Sequence, residues 1–80
     1  MNYPEETFYF ENREDEHNKF WAITIHINTD DQIYTLIRRW GKVGQHGRVM
    51  QETSHSLYYA ESRKHKLITE KMAKGYKPVL

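Results

Sequence analysis

One change of period constrains this chain more than any other feature. Before residue 54 the apolar residues sit in short β-branched and aromatic runs, and from Leu57 onward they recur at helical spacing. The clearest run is Phe20 to Ile27. Trp21, Ile23, Ile25 and Ile27 fall on one side of it and Ala22, Thr24 and His26 on the other, the period of two that marks a strand. After the change, Leu57, Ala60, Leu67, Ile68 and Met72 follow the period of a helix, with Lys64 and Lys71 on or beside the same stripe. Ser54 or Ser56 can cap its start through a hydroxyl. Gly75 fits the left-handed position that ends many helices, and Pro78 prevents continuation. The spacing predicts a helix over 57–74, about five turns.

The remaining strands follow from composition and turn chemistry. Thr7 to Asn12 is dense in aromatics and reads as a first strand. Arg13 to His17 is a charged connector, and Asn18 or Lys19 opens the second strand. Asn28-Thr29-Asp30-Asp31 can bond its own backbone and reads as a turn. A third strand runs from about Gln32 to Trp40 and a short fourth from Arg48 to Thr53. In the third strand Ile33 and Ile37 share one side, and Tyr34, Leu36 and Trp40 the other. That pattern leaves two arrangements open: apolar groups on both faces of the sheet, or an exposed aromatic patch on one. The fold class is α+β, an antiparallel sheet of three to five strands with one long C-terminal helix packed on one face. Residues 1–6 read as a flexible arm and 7–80 as a single domain.

Eighty residues with eleven aromatics can bury one small core, about 60 % of the surface the unfolded chain exposes. The absence of cysteine rules out disulfides and thiol chemistry. No apolar run approaches the roughly 20 residues of a membrane span. The acidic start, Met1 to Glu6, lacks the basic and apolar regions of a signal peptide, and a cytoplasmic location is expected. The net charge of +1 is unevenly spread. Residues 1–16 hold six acids and one base, and residues 17–80 hold eleven bases and five acids. A basic body points to an anionic partner, although solvated charge gives the same composition.

The bases concentrate in Arg38-Arg39-Trp40-Gly41-Lys42-Val43-Gly44-Gln45-His46-Gly47-Arg48. Three glycines at a spacing of three separate two strand-like runs. Their amides can approach a phosphate, and a tight hairpin loop would need the same glycines for shape alone. Trp40 offers a flat face beside cations, the combination that stacks on a sugar or base while the charges neutralise phosphates. It serves equally as a plug in the core beside the helix.

These residues carry a resemblance. Arg39 to Gly47 resembles the centre of the WGR domain, named for its Trp-Gly-Arg tripeptide and found in poly(ADP-ribose) polymerases, in molybdate-regulator-like bacterial proteins and as short bacterial proteins. Asn18-Lys19-Phe20-Trp21 resembles the opening of that family's second strand. Ser56-Leu57-Tyr58-Tyr59-Ala60 resembles its helix start, and Glu70-Lys71-Met72-Ala73-Lys74-Gly75-Tyr76 its helix end. The family's Arg is Lys42 here, and lysine lacks arginine's bidentate planar contact. The resemblance implies an antiparallel sheet with one helix packed on it. It also implies that Trp40 packs on the sugar of a terminal nucleotide at a DNA break and that Asn18 lies close to the 5′ end. The family's Arg serves largely in contacts between domains, so Lys42 would keep only its charge.

The expected function is a non-catalytic nucleic-acid-binding module for DNA ends or nicks, with DNA preferred to RNA. Its expected site is Trp40, Lys42, Asn18, Arg39, Lys19, Arg48, Gly41 and Gly44. Arg38 and Arg39 must point to opposite faces, so at most one meets a given ligand. Lys71 and Tyr76 are assigned to the fold. No metal, cofactor or catalytic residue is expected. The five histidines show no ligand spacing, Ser54-His55-Ser56 lacks a nucleophile-elbow pattern, and Lys42 lacks the Gly-Lys-Ser/Thr ending of a phosphate loop. The alternative is a protein–protein adaptor or regulator. Phe8, Tyr9 and Phe10 would then offer a strand edge to a partner or to a second copy in a homodimer.

Overall fold

The alternation of Trp21, Ile23 and Ile25 sets which way the sheet faces, for all three are buried on the side covered by the helix. The structure, a computed structural model, describes residues 5–14 and 18–79. Its elements in chain order are β1 (Thr7–Asn12), β2 (Lys19–Asn28), β3 (Ile33–Lys42), β4 (Arg48–Ser54), α1 (Leu57–Ala73) and β5 (Lys77–Pro78). The five strands form one sheet in the order β4-β3-β2-β1-β5, and neighbouring strands run antiparallel throughout. The α+β architecture and the single C-terminal helix agree with the sequence. Of the arm expected over 1–6, residues 1–4 lie outside the described residues. So do residues 15–17 of the connector expected over 13–17.

Register brings the core together. Trp21 stands between Phe10 on β1 and Trp40 on β3, and Ile25 stands opposite Leu36. Phe10 and Trp21 pack with ring centroids 5.6 Å apart at 51°. Ala60 and Leu67 close the core from α1. Each isoleucine or leucine buried here contributes about 1.5–3 kcal/mol. The face of β3 that the sequence left undecided is settled by Leu36, which is 2 % exposed on the helix side. Both faces nevertheless carry apolar groups. On the side away from the helix, Phe20 is also 2 % exposed. It stacks on Tyr9 at 5.7 Å and lies under the Arg39 guanidinium at 5.1 Å.

The helix begins and ends where its side chains direct. Ser56 is extended (φ −116°, ψ 117°), and its hydroxyl accepts from the Tyr59 amide at 3.1 Å. At the far end Gly75 takes φ +100°. Its amide donates to the Met72 carbonyl and the Tyr76 amide to the Lys71 carbonyl, both at 3.1 Å, the paired bonds of a Schellman motif. The line facing the sheet is Ala60, Lys64, Leu67 and Lys71, spaced by three or four. Lys64 Nζ lies 4.8 Å from the Phe8 ring centroid and Lys71 Nζ 5.9 Å from that of Trp21. Met72, expected on the stripe, is 50 % exposed. It stands five residues beyond Leu67, well around the helix from that line.

Two expectations need correction. Gly41 does not end the third strand: β3 continues to Lys42 because Phe20 and Lys19 on β2 pair with Gly41 and Lys42. The β1 edge formed by Phe8, Tyr9 and Phe10 is not open either. β5 pairs with it at Phe10 and Glu11, and the Val79 amide donates to the Tyr9 carbonyl at 3.0 Å. Among the described strands, the long unpaired edge is that of β4.

Candidate nucleic-acid interface

Strand register decides which of the expected residues meet. Trp40 on β3 stands directly opposite Trp21 on β2 and Arg48 on β4. Two residues along β3, Lys42 stands opposite Lys19. Side chains alternate along a strand and match across a pair, so Trp40, Arg48, Lys42 and Lys19 share the helix-side face at one end of the sheet. Trp40 is half-buried and packs against the core, with part of its side chain left exposed. Lys19, Lys42 and Arg48 are exposed.

Arg39 lies elsewhere. It points to the opposite face, over Phe20, and its Nη1 donates to the His46 carbonyl at 3.3 Å. That contact ties the glycine loop to the sheet. Arg38 is the arginine on Trp40's side, as the alternation requires. The split between the two follows the parity read from the sequence, and Arg39, named in the expected site, stands on the face away from Trp40.

The loop from Val43 to Gly47 folds on backbone contacts. The Val43 amide donates to the Asn18 carbonyl and the Gln45 amide to the Lys42 carbonyl, each at 3.0 Å. Asn18 thus pins the loop to the start of β2 through its backbone. Gly47 takes φ +81°, and a Cβ there would strike the Trp40 carbonyl oxygen and come within 2.9 Å of Phe20 Cζ. Gly41 lies against Gly47, on the side away from Trp40. Gly44 sits at the loop tip with φ +91° and open space beside it.

Beside Trp40, toward the helix, a groove of about 300 Å³ separates α1 from the sheet. Arg38, Lys71 and Lys74 line it together with Trp21 and Trp40. The Lys71 ammonium is pushed below its ordinary pKa by burial, then by the nearby charges of Lys74 and Arg38, with Glu70 acting weakly against them. These three cations were missing from the expected site. The signal for Arg38 was its parity with Trp40, and for Lys71 its four-residue spacing from Leu67. On the far face, burial raises the Tyr9 phenol, and its hydrogen bond to Glu11 at 3.0 Å raises it further.

Among the described residues, no three of His, Asp and Glu stand close enough to hold a metal ion. No helix among them is long and apolar enough to cross a membrane.

The comparisons agree with this geometry. The family model described as the WGR domain matches residues 5–80. A Bacteroides fragilis protein solved by the Northeast Structural Genomics Consortium shares 29 % identity and superimposes with a TM-score of 0.77. The match covers 94 % of this chain and 20 % of that one, so this chain spans a fifth of the length of that protein. No curated protein matches the chain. With the family match running over nearly its whole length and Trp40 set at the sheet end, the chain belongs to the WGR domain family, a family of non-catalytic nucleic-acid-binding modules.

Proposed function

We propose that this chain binds ends or nicks in DNA, without catalysis and without reading sequence. A sugar rests on Trp40, and the neighbouring phosphates meet Lys42, Lys19 and Arg48. Asn18 sits at the strand terminus, beside the loop that carries Gly41 and Gly44. Arg39 acts indirectly, by holding that loop. The observation that carries this reading is the grouping of Trp40 with three exposed cations at one end of one face. A stacking ring ringed by charge recognises sugar and phosphate, which every sequence shares. Among the described residues no helix is free to enter a groove, since α1 spends its apolar line on the sheet. A bacterial cytoplasm is the setting that suits such a module.

Fluorescence anisotropy on an intact duplex, a nicked duplex and a single strand, each at two salt concentrations, tests the proposal. The nicked duplex is expected to bind most tightly, with an affinity that falls with salt as a few phosphate contacts require. Absence of binding to every DNA at low salt would remove this function. Trp40→Ala and Lys42→Ala should each weaken binding while circular dichroism still reports a folded chain.

The β4 edge favours a second reading, an adaptor that recruits a protein or a second copy. Val49 and Met50 are 47 % and 50 % exposed on β4, whose outer edge is unpaired. Light scattering that shows a stable dimer or complex, with indifference to polyanions, would favour it.

A further inference from the structure

The groove beside Trp40 holds more positive charge than the fold uses. Arg38, Lys71 and Lys74 line it, and Glu70 is the acid among its lining residues. The ion pairs among the described residues involve Glu5, Glu11, Glu52 and Glu61. None of those four acids lines the groove, and Glu70 belongs to none of the pairs.

Arg38 is the least satisfied group of the three. Its Nε is buried and has no hydrogen-bond partner. Its Nη2 faces the Met50 sulfur at 2.9 Å, a weak acceptor. A buried guanidinium donor left unpaired is costly, and an anion supplying oxygens would remove the cost. Lys71 Nζ stands over the Trp21 and Tyr76 rings, 5.9 Å and 5.5 Å from their centroids. Its charge is therefore held by aromatic faces where a carboxylate could have been.

We propose that this groove is a phosphate site. Arg38, Lys71 and Lys74 close on one phosphate group of a nucleic-acid strand whose adjoining sugar or base rests against Trp40. The ligand named here rests on the nucleic-acid reading above and adds to it three residues behind the ring. A tetrahedral phosphate offers oxygens to three cations at once, and the arginine fork suits it. The volume, about 300 Å³, lies at the small end for ligand pockets. It suits a single nucleotide.

The test is a titration of the intact chain followed by nuclear magnetic resonance at Arg38 Nε–Hε and the two indole N–H groups. Inorganic phosphate, a 5′-mononucleotide and a short single-stranded oligothymidine are added in separate arms. Arg38 Nε–Hε is expected to shift in all three, with affinity rising from phosphate to oligonucleotide. Lys71→Gln and Lys74→Gln should each weaken oligonucleotide binding roughly tenfold, and Lys66→Gln, away from the groove, should leave it unchanged. Lys74 is exposed, so its variant keeps the test valid should Lys71→Gln lose packing on Trp21. An Arg38 signal unmoved in every arm overturns the site. Oligonucleotide binding that Lys42→Ala abolishes while Arg38 stays unmoved overturns the groove and leaves the function above standing. A phosphate shift without any oligonucleotide binding overturns the strand as ligand and leaves a site for small phosphate compounds.

Discussion

Gly41 and Gly47 meet backbone to backbone: a Cβ on Gly41 would lie 2.9 Å from Gly47 Cα. This contact folds the loop back on the end of β3 and presses it over Phe20. Gly47→Ala carries both a left-handed backbone and a clash with the Trp40 carbonyl. The backbone alone costs about 1–3 kcal/mol, and the clash adds to it. Gly44→Ala has the same kind of backbone but open space, so its cost should stay near the lower figure. Urea unfolding of the two variants checks the order, and equal losses would mean the loop contact contributes nothing.

Leu36 and Met72 make a second contrast. Leu36 is 2 % exposed in the core and Met72 is 50 % exposed on the helix. Leu36→Ala is expected to cost about 2–5 kcal/mol, enough to unfold much of a chain this small. Met72→Ala should stay within about 0.5 kcal/mol of the parent. Thermal or urea midpoints decide the matter, and a large loss at Met72 would contradict the packing line Ala60-Lys64-Leu67-Lys71.

Lys42 and Arg39 separate binding from loop support. Lys42→Ala should lower DNA affinity and reduce the steepness of its salt dependence by about one phosphate contact. Arg39→Ala removes its cover from Phe20 and the bond to His46. It should cost about 0.5–1 kcal/mol of stability, with little change in salt slope. Anisotropy at several salt concentrations, paired with unfolding curves, reads both effects. A salt slope that falls equally in the two variants would place Arg39 on the ligand.

The pH dependence of stability tests Lys71. Burial, Lys74 and Arg38 lower its pKa in the folded state below the ordinary 10.5. The folded chain therefore releases this proton before the unfolded chain does. Below the folded pKa the charged ammonium is a penalty. That penalty is relieved as pH rises through the folded pKa toward 10.5. Tyr9 opposes it: its raised pKa gives stability below 10.0 that is lost at higher pH. Comparing the parent with Lys71→Gln cancels Tyr9. The parent should gain stability relative to the variant on passing from neutral to alkaline pH, and an unchanged difference between them would refute the burial of this charge.

Much of this was legible in the sequence because single residues carry it. Ser56 and Gly75 mark the helix ends by their own conformational chemistry. The alternation from Trp21 to Ile27 selects the core face of β2, and parity alone separates Arg38 from Arg39. Other features depend on partners distant in sequence. Gly41 reads as a strand breaker until Phe20 and Lys19 pair across from it. Lys77–Pro78 is too short and too polar to show a period, and it becomes a strand only beside Phe10 and Glu11. The grouping of cations behind Trp40 does not show in the sequence for a related reason. Lys71 belongs to the helix pattern, and its closeness to Arg38 appears only once α1 lies on β3.

The return of the chain as β5 has one more effect, on how copies of this molecule could join. With Tyr9 and Glu11 already engaged and Pro78 lacking an amide to donate, the β1 side of the sheet offers little to a neighbour. Among the described strands, β4 is the long edge left for pairing. Two copies meeting through β4 would use it up on both, and the assembly would close as a pair. The two-residue strand thus leaves the two sides of the described sheet unequal, with one short covered edge and one long open one.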